Sequence, residues 1–190
     1  KFVVKRALKA GKYAIFADTG MGKTLMQLEW AEKVMKRTGH PVIIFAPLAV
    51  SEQTIEEGRK FGIRVQRYPY PCNIQITNYE QIDNVDLTGF SGIVLDESSI
   101  LKNETGVYRN TLIERCSKIP YKLCCTATPS PNDPMELGNH AEFLDAMDYN
   151  EMLAMYFVHD ADSTQQWRLK KHAIDRFYEF IASWAVMFNM

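Results

Sequence analysis

Along the first two-thirds of the chain, short apolar runs alternate with stretches in which apolar residues return every three or four positions. The runs at 13–16 and 42–46 lack the polar alternation of a half-exposed strand, so they predict strands covered on both faces. Residues 92–96 and 121–126 predict two more; the former ends on Asp96 and the latter is stopped by Thr128-Pro129. Residues 64–67 and 73–77 predict brief strands. Tyr68-Pro69-Tyr70-Pro71 between them should run extended, because a residue before proline is pushed out of the helical region.

Helical spacing predicts helices over 2–10 (ended by Gly11), from Leu25 to about Arg37, over 51–60 (capped by Ser51, closed near Gly62), and over about 134–144. From Asp162 onward there is no Gly or Pro. Ile174, Phe177, Ile181, Trp184, Ala185 and Phe188 recur there at helical spacing, which predicts one long amphipathic C-terminal helix. Its stripe is expected to cover the domain's own core, or in part to meet a second domain. Strands alternating with helices predict an α/β fold, a central parallel sheet with helices on both faces and right-handed crossovers.

Composition changes this picture little. The 190 residues suit one domain, 1–190, with a substantial core. A net charge of -1 gives no global basic signal for nucleic acid, while leaving room for a local patch. Of the four cysteines, Cys72, Cys116, Cys124 and Cys125, none has the paired spacing of a zinc site. Cys124 and Cys125 read as small apolar residues of a core strand, which suits a reducing compartment. No run is long enough to predict a membrane span and no signal peptide is visible, so a cytoplasmic location is expected. The chain opens on Lys1 and not Met, and a trimmed start is expected.

The candidate chemistry begins at Ala17-Asp18-Thr19-Gly20-Met21-Gly22-Lys23-Thr24, between the first strand and the helix after it. Gly20 and Gly22 let the backbone curl so that N–H groups at Thr19 to Thr24 converge, and the helix adds its positive end. Lys23 supplies a point charge for phosphates, and the Thr24 hydroxyl suits Mg²⁺. Asp96-Glu97 supplies the complementary half: Asp96 holds the metal, and Glu97 orients and deprotonates water. Lys23, Asp96 and Glu97 are therefore the expected catalytic residues, with ATP and Mg²⁺ as cofactors.

Taken in order, these motifs resemble the first motor lobe of superfamily-two helicases and translocases, and most closely the Swi/Snf-type branch. Residues 17–24 are similar to motif I. Phe45-Ala46-Pro47-Leu48-Ala49-Val50 with Gln53 is similar to motif Ia, and Ile76-Thr77-Asn78-Tyr79-Glu80 to motif Ib. Asp96-Glu97-Ser98-Ser99-Ile100-Leu101-Lys102-Asn103 is similar to motif II, and Thr126-Ala127-Thr128-Pro129 to motif III. Asn132 and Glu136-Leu137 continue in the same manner.

The resemblance implies a RecA-like P-loop NTPase lobe in a DNA-dependent ATP hydrolase. Ser99, Thr126 and Thr128 would couple the nucleotide to a nucleic-acid face formed by Pro47, Leu48, Ser51, Thr77, Asn78 and Lys102. Arg109 is a further candidate charge there, and Tyr79 is expected in the core. The expected partners are DNA, in double-stranded form, and a second RecA-like lobe that supplies arginine fingers and is absent from this chain. This lobe alone would then bind ATP weakly with little hydrolysis. The mixed, compact pattern resembles phage or mobile-element relatives, which implies a bacterial or phage-infected cell. Two departures stand out. Ser98-Ser99 occupies the place where the family carries a His two residues after the Glu, and no residue here matches its upstream adenine-reading Gln. Ser98-Ser99 leaves open an inactive nucleotide- or nucleic-acid-docking module; the phosphate loop alone leaves open a small-molecule phosphotransferase.

Overall fold

The computed structural model describes residues 1–102, 106–130, 132–160 and 163–188. Helix α1 (Phe2–Ala10) ends as expected at Gly11, whose left-handed backbone returns its N–H to Ala7 O at 2.9 Å. Strand β1 (Lys12–Ala17) leads through the glycine loop into α2 (Lys23–Thr38), and β2 (Val42–Phe45) into α3 (Ser51–Lys60). After α3 come β3 (Gln66–Arg67), β4 (Ile74–Thr77), β5 (Gly92–Asp96), α4 (Val107–Arg115) and β6 (Tyr121–Thr126). The chain closes with α5 (Leu137–Phe143), α6 (Tyr149–Tyr156), β7 (Phe157–Asp160), β8 (Ser163–Leu169), α7 (Ile174–Trp184) and β9 (Ala185–Phe188).

The sheet has seven strands in the order β3-β4-β2-β5-β6-β1-β9, and its pairings are parallel. Period-two alternation splits each central strand between two cores. Phe16, Phe45, Leu95 and Cys124 face α4 to α7, whereas Tyr13, Ile15, Val94 and Cys125 face α1 and α2. The adjacent cysteines are thus buried on opposite faces of one strand. Gly92 permits the close approach of α2: a Cβ there would meet Val34 and Val42 side chains at 3.1 Å. This arrangement puts the ends of β1, β2, β4, β5 and β6 on one edge, where parallel α/β sheets carry their ligands.

Three expectations need correction. The region after Asp162, itself outside the described residues, is not one long helix. Residues 163–169 pair antiparallel with β7 as a hairpin, α7 spans 11 residues, and Ala185 and Phe188 belong to β9 on the edge beside β1. Short apolar runs fit either period, and pairing with β1 decides this one. The core-covering role of the stripe holds: Phe177, Ile181 and Trp184 are buried. Ser51 does not cap α3; a 3₁₀ turn over Leu48–Val50 runs straight into that helix, and the buried Ser51 hydroxyl has no partner. Residues 68–70 turn back, Tyr70 N donating to Arg67 O at 2.9 Å, where an extended link was expected.

Candidate functional site

The glycine loop closes on itself between β1 and α2. Met21 N donates to Asp18 O at 3.2 Å, and Met26 N to Gly22 O at 3.1 Å as α2 begins. Gly20 and Gly22 stand at φ +85° and +76°, a region that costs an L-residue about 1–2 kcal/mol. Nothing lies within 4 Å of a Cβ built at either, so backbone conformation alone calls for glycine. Lys23 Nζ folds back over the loop, donating to Ala17 O at 2.8 Å and Asp18 O at 3.2 Å. Thr19, Gly20, Gly22, Lys23 and Thr24 line a cavity of about 340 Å³, which Asp96 and Glu97 close from the opposite side. Met21 turns away and packs against the α1–α2 core.

The acidic pair is held differently. Asp96 is buried at the end of β5, and burial raises its carboxyl above the usual range, against the pull of its hydrogen bonds. Gln27 Nε2 donates to Asp96 Oδ1 at 2.6 Å, and the Glu97 N–H to the same oxygen at 3.1 Å. Glu97 itself sits at φ +52°. Thr126 Oγ1 donates to Glu97 Oε2 at 3.2 Å and accepts from Thr128 N at 3.1 Å. The two threonines expected to sense the site are therefore bonded to each other, and Thr126 to the carboxylate.

A second cavity of about 530 Å³ lies on the other side of Glu97. Pro47, Leu48, Asn78, Ser99 and Lys102 line it, together with Tyr108. Four of the six residues expected on the nucleic-acid face come together here, with Ser99 from the coupling set; Lys102 is exposed and Leu48 is 61% exposed. Ser51 and Thr77 do not join them: both are buried, so their hydroxyls are not presented to this groove. Tyr79 is a core residue, its hydroxyl donating to Asp96 O at 2.6 Å. Arg109 is no surface cation. It is 7% exposed, bonded to Asn139 Oδ1 at 2.8 Å and paired with Glu142. Asn103 lies outside the described residues.

Gln27, Glu57 and His140 are not among the residues expected from the sequence, and Gln53 has no expected role of its own. Gln27 follows Lys23 by one helical turn and so shares its face, a signal available from spacing alone. Gln53 and Glu57 follow the same rule on α3, and both reach the phosphate-loop cavity. His140 had no such signal; it lies 42 positions from Ser98 in the chain, its Nε2 3.0 Å from Ser98 Oγ.

The residues present fit a nucleotide with Mg²⁺. The loop offers glycine backbone at a helix N-terminus and a lysine whose bonds to carbonyls are exchangeable for an anion. Thr24 and Asp96, which line the same cavity, form an oxygen donor set. Among the described residues no cluster of three or more His, Cys, Asp or Glu could hold a metal by itself. Mg²⁺ sites commonly use one or two carboxylates and complete the shell with phosphate and water.

A parallel sheet with a glycine loop after β1 and Asp-Glu after β5 defines a P-loop α/β lobe of the RecA type. Solved structures share this fold. The chain superposes on the Sulfolobus solfataricus SWI2/SNF2 ATPase core in complex with dsDNA with a TM-score of 0.79 and 20% identity, over 99% of its own length and 43% of that chain. On the Pyrococcus furiosus Hef helicase domain the TM-score is 0.61 at 18% identity, covering 75% of this chain and 36% of the other. On the UvsW helicase from bacteriophage T4 it is 0.60 at 13% identity, covering 74% and 57%. At these identities the likeness is one of fold, and the phage relative says nothing of origin. No protein-family profile and no curated protein matches the chain.

Proposed function

We propose that this chain is the ATP-binding lobe of a nucleic-acid-dependent ATPase that translocates on or remodels DNA. The observation that carries the reading is the position of Glu97, which lines both the phosphate-loop cavity and the groove formed by Pro47, Leu48, Asn78, Ser99 and Lys102. One carboxylate at the wall between two cavities is where a nucleic acid in the groove can alter the geometry of hydrolysis.

On this reading the N–H groups from Thr19 to Thr24 cradle the phosphates of ATP, and Lys23 exchanges its two carbonyl partners for phosphate oxygens. Thr24 and Asp96 hold Mg²⁺, which when bound neutralises the charge that develops on the transferring phosphoryl group. Glu97 orients the attacking water and takes its proton. Thr126 and Thr128 sense whether that carboxylate has moved. Pro47, Leu48, Asn78 and Lys102 contact duplex DNA without regard to sequence, a preference supported by the Sulfolobus core, which is described in complex with dsDNA. Ser51 and Thr77 would reach DNA only through their backbones in this conformation.

The chain spans 43% of that Sulfolobus chain. A second lobe, supplying arginine to the phosphoryl group, is part of the proposal, and with it the expectation that this lobe alone hydrolyses ATP slowly. A reducing cytoplasm is the proposed location, which four free thiols suit. The test is ATP turnover by the full-length protein with duplex DNA, single-stranded DNA, RNA and no nucleic acid. Strong stimulation by duplex DNA is expected. Turnover indifferent to every nucleic acid would overturn the motor reading in favour of a phosphotransferase, and absence of turnover in favour of an inactive docking module.

A further inference from the structure

Glu97 holds a backbone conformation that its own side chain disfavours, so its neighbours must impose it. Thr126 holds the carboxylate from β6. The chain just beyond Glu97 is held by something else. Ser98 is fully buried, and its Oγ lies 3.0 Å from Nε2 of His140, which is fully buried in α5. The His140 ring stands edge-on to Phe16 of β1, centroids 5.2 Å apart. It lines neither cavity. Burial pushes its pKa down to about 4, so it is a neutral hydrogen-bonding ring at ordinary pH. The residue before it grips the far end of the same turn: Asn139 Nδ2 donates to Lys102 O at 3.0 Å, and Arg109 Nε braces Asn139 at 2.8 Å. Two adjacent residues of α5 thus pin both ends of the 98–102 turn.

We propose that His140 is a positioning residue for Glu97: bonded to Ser98, it keeps the turn after β5 in the left-handed form that presents the Glu97 carboxylate to the phosphate cavity. Its effect on turnover rests on the ATPase reading above; its effect on the geometry of Glu97 does not. A group that only filled space would be replaced adequately by leucine. A group that acts through one hydrogen bond would not, and its removal would be felt at Glu97 and not at the glycine loop.

The experiment compares Ser98→Ala, His140→Leu, their double variant and His140→Gln in the full-length protein. Nucleic-acid-stimulated kcat should fall about 10- to 100-fold in each of the first two, the scale on which misplaced catalytic groups lose rate. KM for ATP should stay within about 2-fold, because it is set by the phosphate loop. The double variant should be no slower than either single one. His140→Gln, whose amide can reach Ser98, should restore most of the rate. An unchanged kcat in Ser98→Ala, or losses that multiply in the double variant, would overturn the proposal. Should the unaltered protein show no turnover, the ATPase reading fails by itself, and a crystal structure of Ser98→Ala decides the positioning role. Glu97 departing from φ near +52° and losing Thr126 would support it; Glu97 unmoved would overturn it.

Discussion

Two turns leave parallel strands at the same edge of the sheet and face each other across one cavity, yet they are held by different means. The turn after β1 reaches left-handed backbone with glycines, at Gly20 and Gly22, and its bonds are local: Met21 to Asp18, Met26 to Gly22, Lys23 to Ala17 and Asp18. The turn after β5 reaches the same region with a glutamate, and its supports come from far along the chain. Thr126 and His140 lie 29 and 42 positions from the residues they hold, and Gln27 lies 69 from Asp96. The first turn carries its shape in its composition. The second has its shape imposed, and the residue that bears the imposed conformation is the one proposed to act on water. Strain kept at a reactive group and opposed by its surroundings is a common arrangement in functional sites.

The largest expected effect tests the local turn. Lys23→Ala in the full-length protein should reduce ATP turnover at least about 100-fold, the loss typical of removing one charge-stabilising donor. Near-normal turnover would sink the assignment of this loop. The next concerns the imposed turn and acid. His140 titrates near 4 when folded, below the ordinary 6.5. Between those values the unfolded chain takes up a proton that the folded one refuses. Stability is therefore complete above pH 6.5 and is lost as pH falls toward 4, by about 3 kcal/mol. Denaturant unfolding of the protein and of His140→Gln at several pH values should show that slope in the former and not the latter; parallel curves would refute a buried neutral histidine.

A pair of substitutions exchanges the two strategies. Gly22→Ala should destabilise the fold by about 1–2 kcal/mol through its positive φ. Glu97→Gly, where the strain is already present, should leave stability within about 1 kcal/mol of the original while abolishing turnover. Equal losses of melting temperature in the two variants would erase the distinction between the turns. The smallest effect lies in the groove. Lys102→Ala should weaken DNA binding modestly and make its salt dependence shallower by about one counterion. Arg109→Ala should instead lower thermal stability, because it leaves Glu142 and Asn139 without their buried partner.

Much of this is legible in the sequence. Strands β1, β2, β5 and β6 were visible as apolar runs, because a strand covered on both faces has no polar alternation to obscure it. The glycine loop was visible because positive φ selects glycine, and the lysine and threonine follow it at fixed offsets. The acidic pair was visible as the polar end of an apolar strand. The C-terminal third was misread because 185–188 is apolar enough for a helix stripe or a strand, and only the open edge of β1 chooses between them. Arg109 was misplaced because a basic residue near a motif reads as surface until Glu142 and Asn139 are brought against it.

The sequence by itself determined the class of fold, the glycine loop and the carboxylates that share its cavity, since these rest on local backbone preference and on the burial pattern of single elements. Only the tertiary structure decided that Gln27 bonds Asp96, that Thr126 bonds Glu97 while His140 bonds Ser98 beside it, and that Ser51 and Thr77 are withdrawn from the groove. Those contacts join residues far apart in the chain, and their distances are set by the packing of α2, α5 and β6 around the sheet.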